Sequence, residues 1–92
     1  MNYSKIMVVM LMDKFEQFLL DELGKAKEDL EYAKNWVERA EKEYKENVKF
    51  FGKEYTSDGE VMAARDAYRI VSCEYNLLGR IYEMYKQIKE SG

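Results

Sequence analysis

Residues 26–44 read AKEDLEYAKNWVERAEKEY, and residues 68–85 read YRIVSCEYNLLGRIYEMY. In the first stretch Ala26, Ala33 and Ala40 recur every seven residues; in the second, Tyr68, Tyr75 and Tyr82 do the same. Folding the chain back on itself near residue 54 sets each alanine against a tyrosine in one register: Ala40 with Tyr68, Ala33 with Tyr75, Ala26 with Tyr82. The same register pairs Val37 with Val71, Leu30 with Leu78, Tyr44 with Ala64 and Leu23 with Tyr85. Small faces large and medium faces medium, which is the volume matching that a packed seam requires. The expected fold is all-α: a long antiparallel helical hairpin of coiled-coil type, in a single domain spanning residues 1–92.

Outward from these stretches, helix-favouring residues run from about residue 4 to residue 51, with Ser4 as the expected N-cap. Leu30, Ala33, Val37, Ala40 and Tyr44 step by three and four, the left-handed heptad pattern. Phe15, Leu19, Leu23 and Ala26 step by four, four and three, which relaxes the supercoil locally without ending the helix. Gly24 is the weak point of this span, costing about 1 kcal/mol against alanine. Gly52 is expected to end the helix with a positive φ. A turn over residues 52–57 follows. Ser57 and Glu60 have the spacing of a capping box that starts a second helix over about residues 58–89, with Asp58 adding favourable charge in its first turn.

That second helix carries another apolar stripe beside the tyrosines: Ala67, Ile70, Leu77, Ile81, Met84 and Ile88, interrupted by Glu74. A helix with two apolar faces is touched from two sides. The obvious further partner is the N-terminal segment, where residues 6–12 read IMVVMLM without interruption. Two architectures satisfy the pattern. A break near Gly24 folds residues 4–22 back into a three-helix bundle. An unbroken first helix leaves roughly fifteen residues protruding, and a second copy covers them in a two-fold dimeric bundle, each overhang packing on the other chain's second stripe. The dimer is the expected form, because Leu23 and Ala26 keep the seam in phase across Gly24 and no Ser, Thr or Asn cap follows it.

Composition narrows the chemistry. The chain has 92 residues, no proline, no histidine and a net charge of −3. Without histidine it lacks the usual general base, neutral metal ligand and physiological pH switch. The small acidic charge disfavours general nucleic-acid binding. The single cysteine, Cys73, excludes an intrachain disulfide framework and fits a reducing, cytoplasmic setting. Seven apolar residues at positions 6–12 cannot span a membrane core that needs about 20. Asp13 and Lys14 follow them directly, unlike a signal-peptide cleavage region. Neither a membrane anchor nor a leader is expected, and Met12 is a candidate alternative translation start.

The carboxylates are the one route to an enzyme. Glu28/Glu31, Glu38/Glu41 and Glu43/Glu46 have the i, i+3 spacing of helical metal sites. The all-α nucleotide pyrophosphohydrolases add a Glu-x-x-Asp on the next helix, and here Ala63 and Tyr55 stand three residues before Asp66 and Asp58. Di-iron bundles need Glu-x-x-His, which a chain without histidine cannot supply. Arg39, Arg65, Arg69 and Arg80 fall off the seam positions, so an interior anion pocket of the mutase kind is not expected. The size and hairpin shape resemble the small secreted proteins of type VII systems, but the Trp-x-Gly turn of that family is missing. Trp36 lies mid-helix and the turn reads FFGKEYTSDG. In shape the chain also resembles small helical phage and mobile-element proteins, inhibitors of host defence among them; shape alone does not fix function.

The expected role is therefore a non-catalytic protein–protein interaction module: an adaptor, assembly factor or inhibitor with no cofactor and no metal. Its expected partners are a second copy and another protein, rather than a membrane or nucleic acid. Candidate contact residues are Ile6, Val9, Met10, Met12, Phe15, Phe18, Trp36, Phe50, Phe51 and Tyr55, since aromatic and large apolar side chains carry disproportionate interface energy. The alternatives are a small metal-dependent hydrolase using the Glu pairs, which a Mg²⁺ or Mn²⁺ titration detects, and weak nucleic-acid binding, which predicts a salt-dependent gel shift.

Overall fold

A computed structural model describes the backbone of residues 2–91 and the side chains of residues 10, 11 and 13–91. Two helices, α1 (Asn2–Phe51) and α2 (Gly59–Ser91), lie antiparallel, joined through a short 3₁₀ turn (Lys53–Tyr55). Their dimensions, 74 × 17 × 14 Å, are those of a rod. The radius of gyration is 21.1 Å, against roughly 12 Å for a compact domain of this length.

The all-α hairpin expected from the heptads is present. Helix α1 runs unbroken through Gly24, so the three-helix alternative falls. One glycine costs about 1 kcal/mol, which two full turns of seam on either side outweigh. Helical structure begins before Ser4, and that residue lies within α1 instead of capping it.

The turn differs from expectation in detail. Gly52 ends α1 with φ 85° and ψ 153°, a backbone that any Cβ would strain. Its N–H donates to the Val48 carbonyl at 2.9 Å, and its own carbonyl accepts from the Thr56 hydroxyl at 2.8 Å. The Ser57 hydroxyl accepts from the Gly59 N–H at 3.2 Å, while the Met62 N–H reaches the Asp58 carbonyl at 3.0 Å. Glu60 does not close a capping box on Ser57; its carboxylate takes the Trp36 indole N–H at 3.3 Å.

This turn also corrects the register. Ala40 packs with Val61 and Ala64, not with Tyr68, and Tyr68 lies beside Lys34, Val37 and Glu38. Glu41 reaches Arg65, and Leu23 sits near Tyr75, Gly79 and Tyr82. The facing residues are thus displaced by about one helical turn from the matching of Ala40, Ala33 and Ala26 with the three tyrosines. The connection explains the shift, because it runs back along α1 before α2 begins. Lys53 lies against Tyr44, Val48 and Lys49, and Asp58 against Tyr44 and Lys45. Size matching fixes which faces meet, but several neighbouring registers match small to large almost equally well, and the turn selects among them.

The core is thin. Among the described residues Leu19, Ala26, Ala33 and Ala40 of α1 and Val61, Ala64 and Tyr85 of α2 are buried, Ala64 fully so. Alanines at the crossing let the two backbones approach closely, as in tight ridge-and-groove packing. Tyr44, Tyr75 and Tyr82 are half-buried beside them, with the Lys86 ammonium 5.6 Å over the Tyr82 ring. Near its C-terminus α2 is tied down by Lys89, which reaches Glu16 at 2.8 Å and Asp13 at 3.7 Å. With Asp13 level with the last turn of α2, the backbone overhang of α1 is about eleven residues, shorter than the fifteen expected.

Candidate functional site

The expected contact residues divide into three groups. Ile6, Val9 and Met12 have side chains outside the described residues. Met10, Phe18, Phe50, Phe51 and Tyr55 are exposed, with Phe50 84% and Tyr55 83% accessible. Phe50 and Phe51 stand at the last turn of α1, and Tyr55 at the turn beyond it, so aromatic surface is concentrated at the closed end of the hairpin. Phe15 and Trp36 belong in part to the hairpin itself. The Phe15 ring meets Tyr85 edge-on at 5.4 Å. Trp36 is half-buried, packs on the Ala40–Val61–Ala64 cluster and holds Glu60.

The larger feature lies on α2. Ile70, Leu77, Ile81, Met84 and Ile88 are all exposed, though none is among the candidate contacts. The signal that finds them is their spacing. Ala63, Ala67, Ile70, Glu74, Leu77, Ile81, Met84 and Ile88 alternate by four and three without a slip. That is a full heptad set of its own, turned about 100° around the helix from the positions that meet α1.

Polar chemistry is sparse by comparison. Glu41 is held by two donors of Arg65, Nε at 3.2 Å and Nη2 at 2.9 Å. Arg69 pairs with Asp66 at 3.0 Å and Lys25 with Glu22 at 3.5 Å, both within one helix. The three Glu pairs are spread along α1, and among the described residues no group of three potential ligands converges. Cys73 is exposed, as is Asn47. Two groups are electrostatically perturbed, both at the open end of the hairpin. Burial pushes the Tyr85 hydroxyl above the usual tyrosine range, and Glu16 and Asp13 act in the same direction against the lowering effect of Lys89. The hydrogen bond that the Lys89 ammonium donates to Glu16 raises Lys89, opposed by partial desolvation. Both groups keep their ordinary charge at neutral pH.

A groove of about 790 Å³ lies over Gly79 between Leu23, Tyr75 and Tyr82. It is an open furrow where α2 lacks a side chain, with Arg80 and Glu83 at its border. Among the described residues no helix is long and apolar enough to cross a membrane. No protein-family model, no curated protein and no solved structure matches this chain.

Proposed function

We propose that this chain is a non-catalytic protein–protein interaction module of the cytoplasm, an adaptor, assembly factor or inhibitor that works through its helical surface. One observation carries the reading. Among the described residues sixteen large apolar side chains are exposed while seven residues form the core, so a large apolar surface faces outward. Association is the ordinary use of contiguous apolar surface on a chain in water. Phe50, Phe51 and Tyr55 at the closed end are the contacts assigned to a different protein, because aromatic anchors dominate interface energetics.

A photoreactive amino acid at Tyr55, activated in the native host, tests this. A discrete adduct with another protein is expected, and it should be lost when Phe50 and Phe51 are both changed to serine. No adduct at that position, together with a saturable calorimetric signal for Mg²⁺ or Mn²⁺, would turn the reading toward the metal-dependent hydrolase.

A further inference from the structure

We infer that the outer stripe of α2 pairs with the same stripe of a second copy, antiparallel, about a two-fold axis passing between residues 75 and 76. The inference rests on the reading of the chain as an interaction module and names the partner of one face.

Three observations support it. The first is area. The chain exposes 7791 Å², whereas a folded monomer of 11.0 kDa exposes about 5,600 Å². The excess, about 2,200 Å², exceeds the roughly 800 Å² per partner that a standard stable interface removes.

The second is length. The stripe from Ala63 to Ile88 is about 38 Å long at 1.5 Å per residue. The α1 overhang, about 16 Å on the same rise, cannot cover it. The one element of matching length and pattern is α2 itself.

The third is self-complementarity. In antiparallel heptad pairing each first-seam position faces the second-seam position of the other helix. About the stated axis, Ala63 faces Ile88 of the second copy, and Ala67 faces Met84. Nearer the centre Ile70 faces Ile81, and Glu74 faces Leu77. The small residues cluster at one end of the stripe and the bulky ones at the other, which is the order a two-fold pairing needs to keep layer volumes even. A parallel pairing would stack alanine on alanine at one end and methionine on methionine at the other.

The stripe lies about 100° from the α1 seam, so the two hairpins close into a four-helix bundle with both α1 helices on one side. In that bundle the first turns of each α1 come level with the last turns of the other. The exposed Met10 and Leu11 of one chain then share a stretch of the rod with the exposed Phe50 and Phe51 of the second. Glu74 is the sole polar member of the stripe, and the two-fold axis brings two of these carboxylates near each other. That contact limits the affinity.

The test uses the full chain. Light scattering or sedimentation should give twice the 11.0 kDa mass. Register is read by disulfide capture: A67C and M84C, each carried on C73S, should cross-link when mixed and oxidised, and neither should cross-link alone. Like positions of one variant lie about 25 Å apart in this arrangement. Glu74→Leu should tighten the dimer on the order of tenfold, by removing the two carboxylates beside the axis and filling the seam. Ile81→Lys should yield a helical monomer, because Ile81 lies off the α1 seam. A monomer at every concentration overturns the inference while leaving the Tyr55 adduct to decide the interaction reading. A dimer in which each cysteine variant cross-links alone means parallel pairing, and a dimer that never captures the mixed disulfide uses another face; both overturn it.

Discussion

On α2 the side that meets α1 is built from Val61, Ala64, Tyr75, Leu78, Tyr82 and Tyr85, whereas the side left bare is built chiefly from Ile70, Leu77, Ile81, Met84 and Ile88. Both sides keep heptad spacing. They differ in what their side chains demand. A tyrosine can bury its ring over an alanine and leave its hydroxyl at the edge in water, so a two-helix seam with both flanks open satisfies it. Isoleucine, leucine and methionine have no polar tip and gain only from being enclosed. The more apolar face of α2 is thus the one that the hairpin does not use, and the hairpin's own core is thin because it was never the larger apolar surface.

The sharpest way to break this comparison is to put the same charge on each side. Ala64 is fully buried, and Ala64→Asp should cost the hairpin about 3 kcal/mol, the scale of an unpaired charge taken out of water. Ile70→Asp, on the bare side, should change the stability of the isolated hairpin by less than about 0.5 kcal/mol. Urea melts at concentrations low enough to exclude association measure both. Equal losses would mean that the two faces are not distinct in the way the exposure pattern states.

A smaller effect comes from overfilling the seam. Ala33 is 3% exposed, so Ala33→Leu should cost about 1–3 kcal/mol. Lys34 is its exposed neighbour, and Lys34→Ala should stay within about 0.5 kcal/mol. Thermal melting followed by circular dichroism separates the two. A neutral Ala33→Leu would show that the helices are not in close approach at that level.

The bare side was legible from the sequence as a second stripe, and so were the hairpin, its turn at Gly52 and the exposure of Phe50, Phe51 and Tyr55. What the sequence could not show was the register. Ala40 matches Tyr68 in volume and also fits between Val61 and Ala64, and the choice lies with seven turn residues whose path back along α1 depends on Gly52, Thr56 and Ser57 together. Trp36, off the seam by its heptad position, reaches Glu60 because α2 starts lower along α1 than the symmetric turn implied. The continuity of α1 through Gly24 was readable as a preference, since Leu23 and Ala26 stay in phase across it.

Gly24 gives the next prediction. A Cβ added there meets nothing within 4 Å, and the residue is helical, so Gly24→Ala should stabilise the chain by up to about 1 kcal/mol. Gly79 has the same open surroundings, but its alanine variant would fill part of the groove over Leu23. A calorimetric scan should therefore show a gain at both positions. A loss at Gly24 alone would mean that α1 bends there in solution.

The smallest effect lies at the open end, where Tyr85 and Lys89 both hold their protons more tightly in the folded chain than in the unfolded one. For Lys89 the cause is chiefly the Glu16 hydrogen bond; for Tyr85 it is chiefly burial. The folded state binds more protons across the alkaline range, so stability falls as pH rises. The contributions are complete below the ordinary tyrosine and lysine values, about 10 and 10.4, and are lost as pH climbs through the raised folded values. Melting temperature should be flat from pH 8 to about 10 and decline above it. Glu16→Gln should remove the Lys89 part and the smaller Glu16 share of the Tyr85 part, leaving the burial of Tyr85 and giving a shallower decline. These groups sit near water, so 1 M salt should shrink the difference between the two chains. An unchanged alkaline slope in Glu16→Gln would show that the ion pair does not tie the end of α2 to α1, leaving the Phe15–Tyr85 ring contact to hold the open end closed.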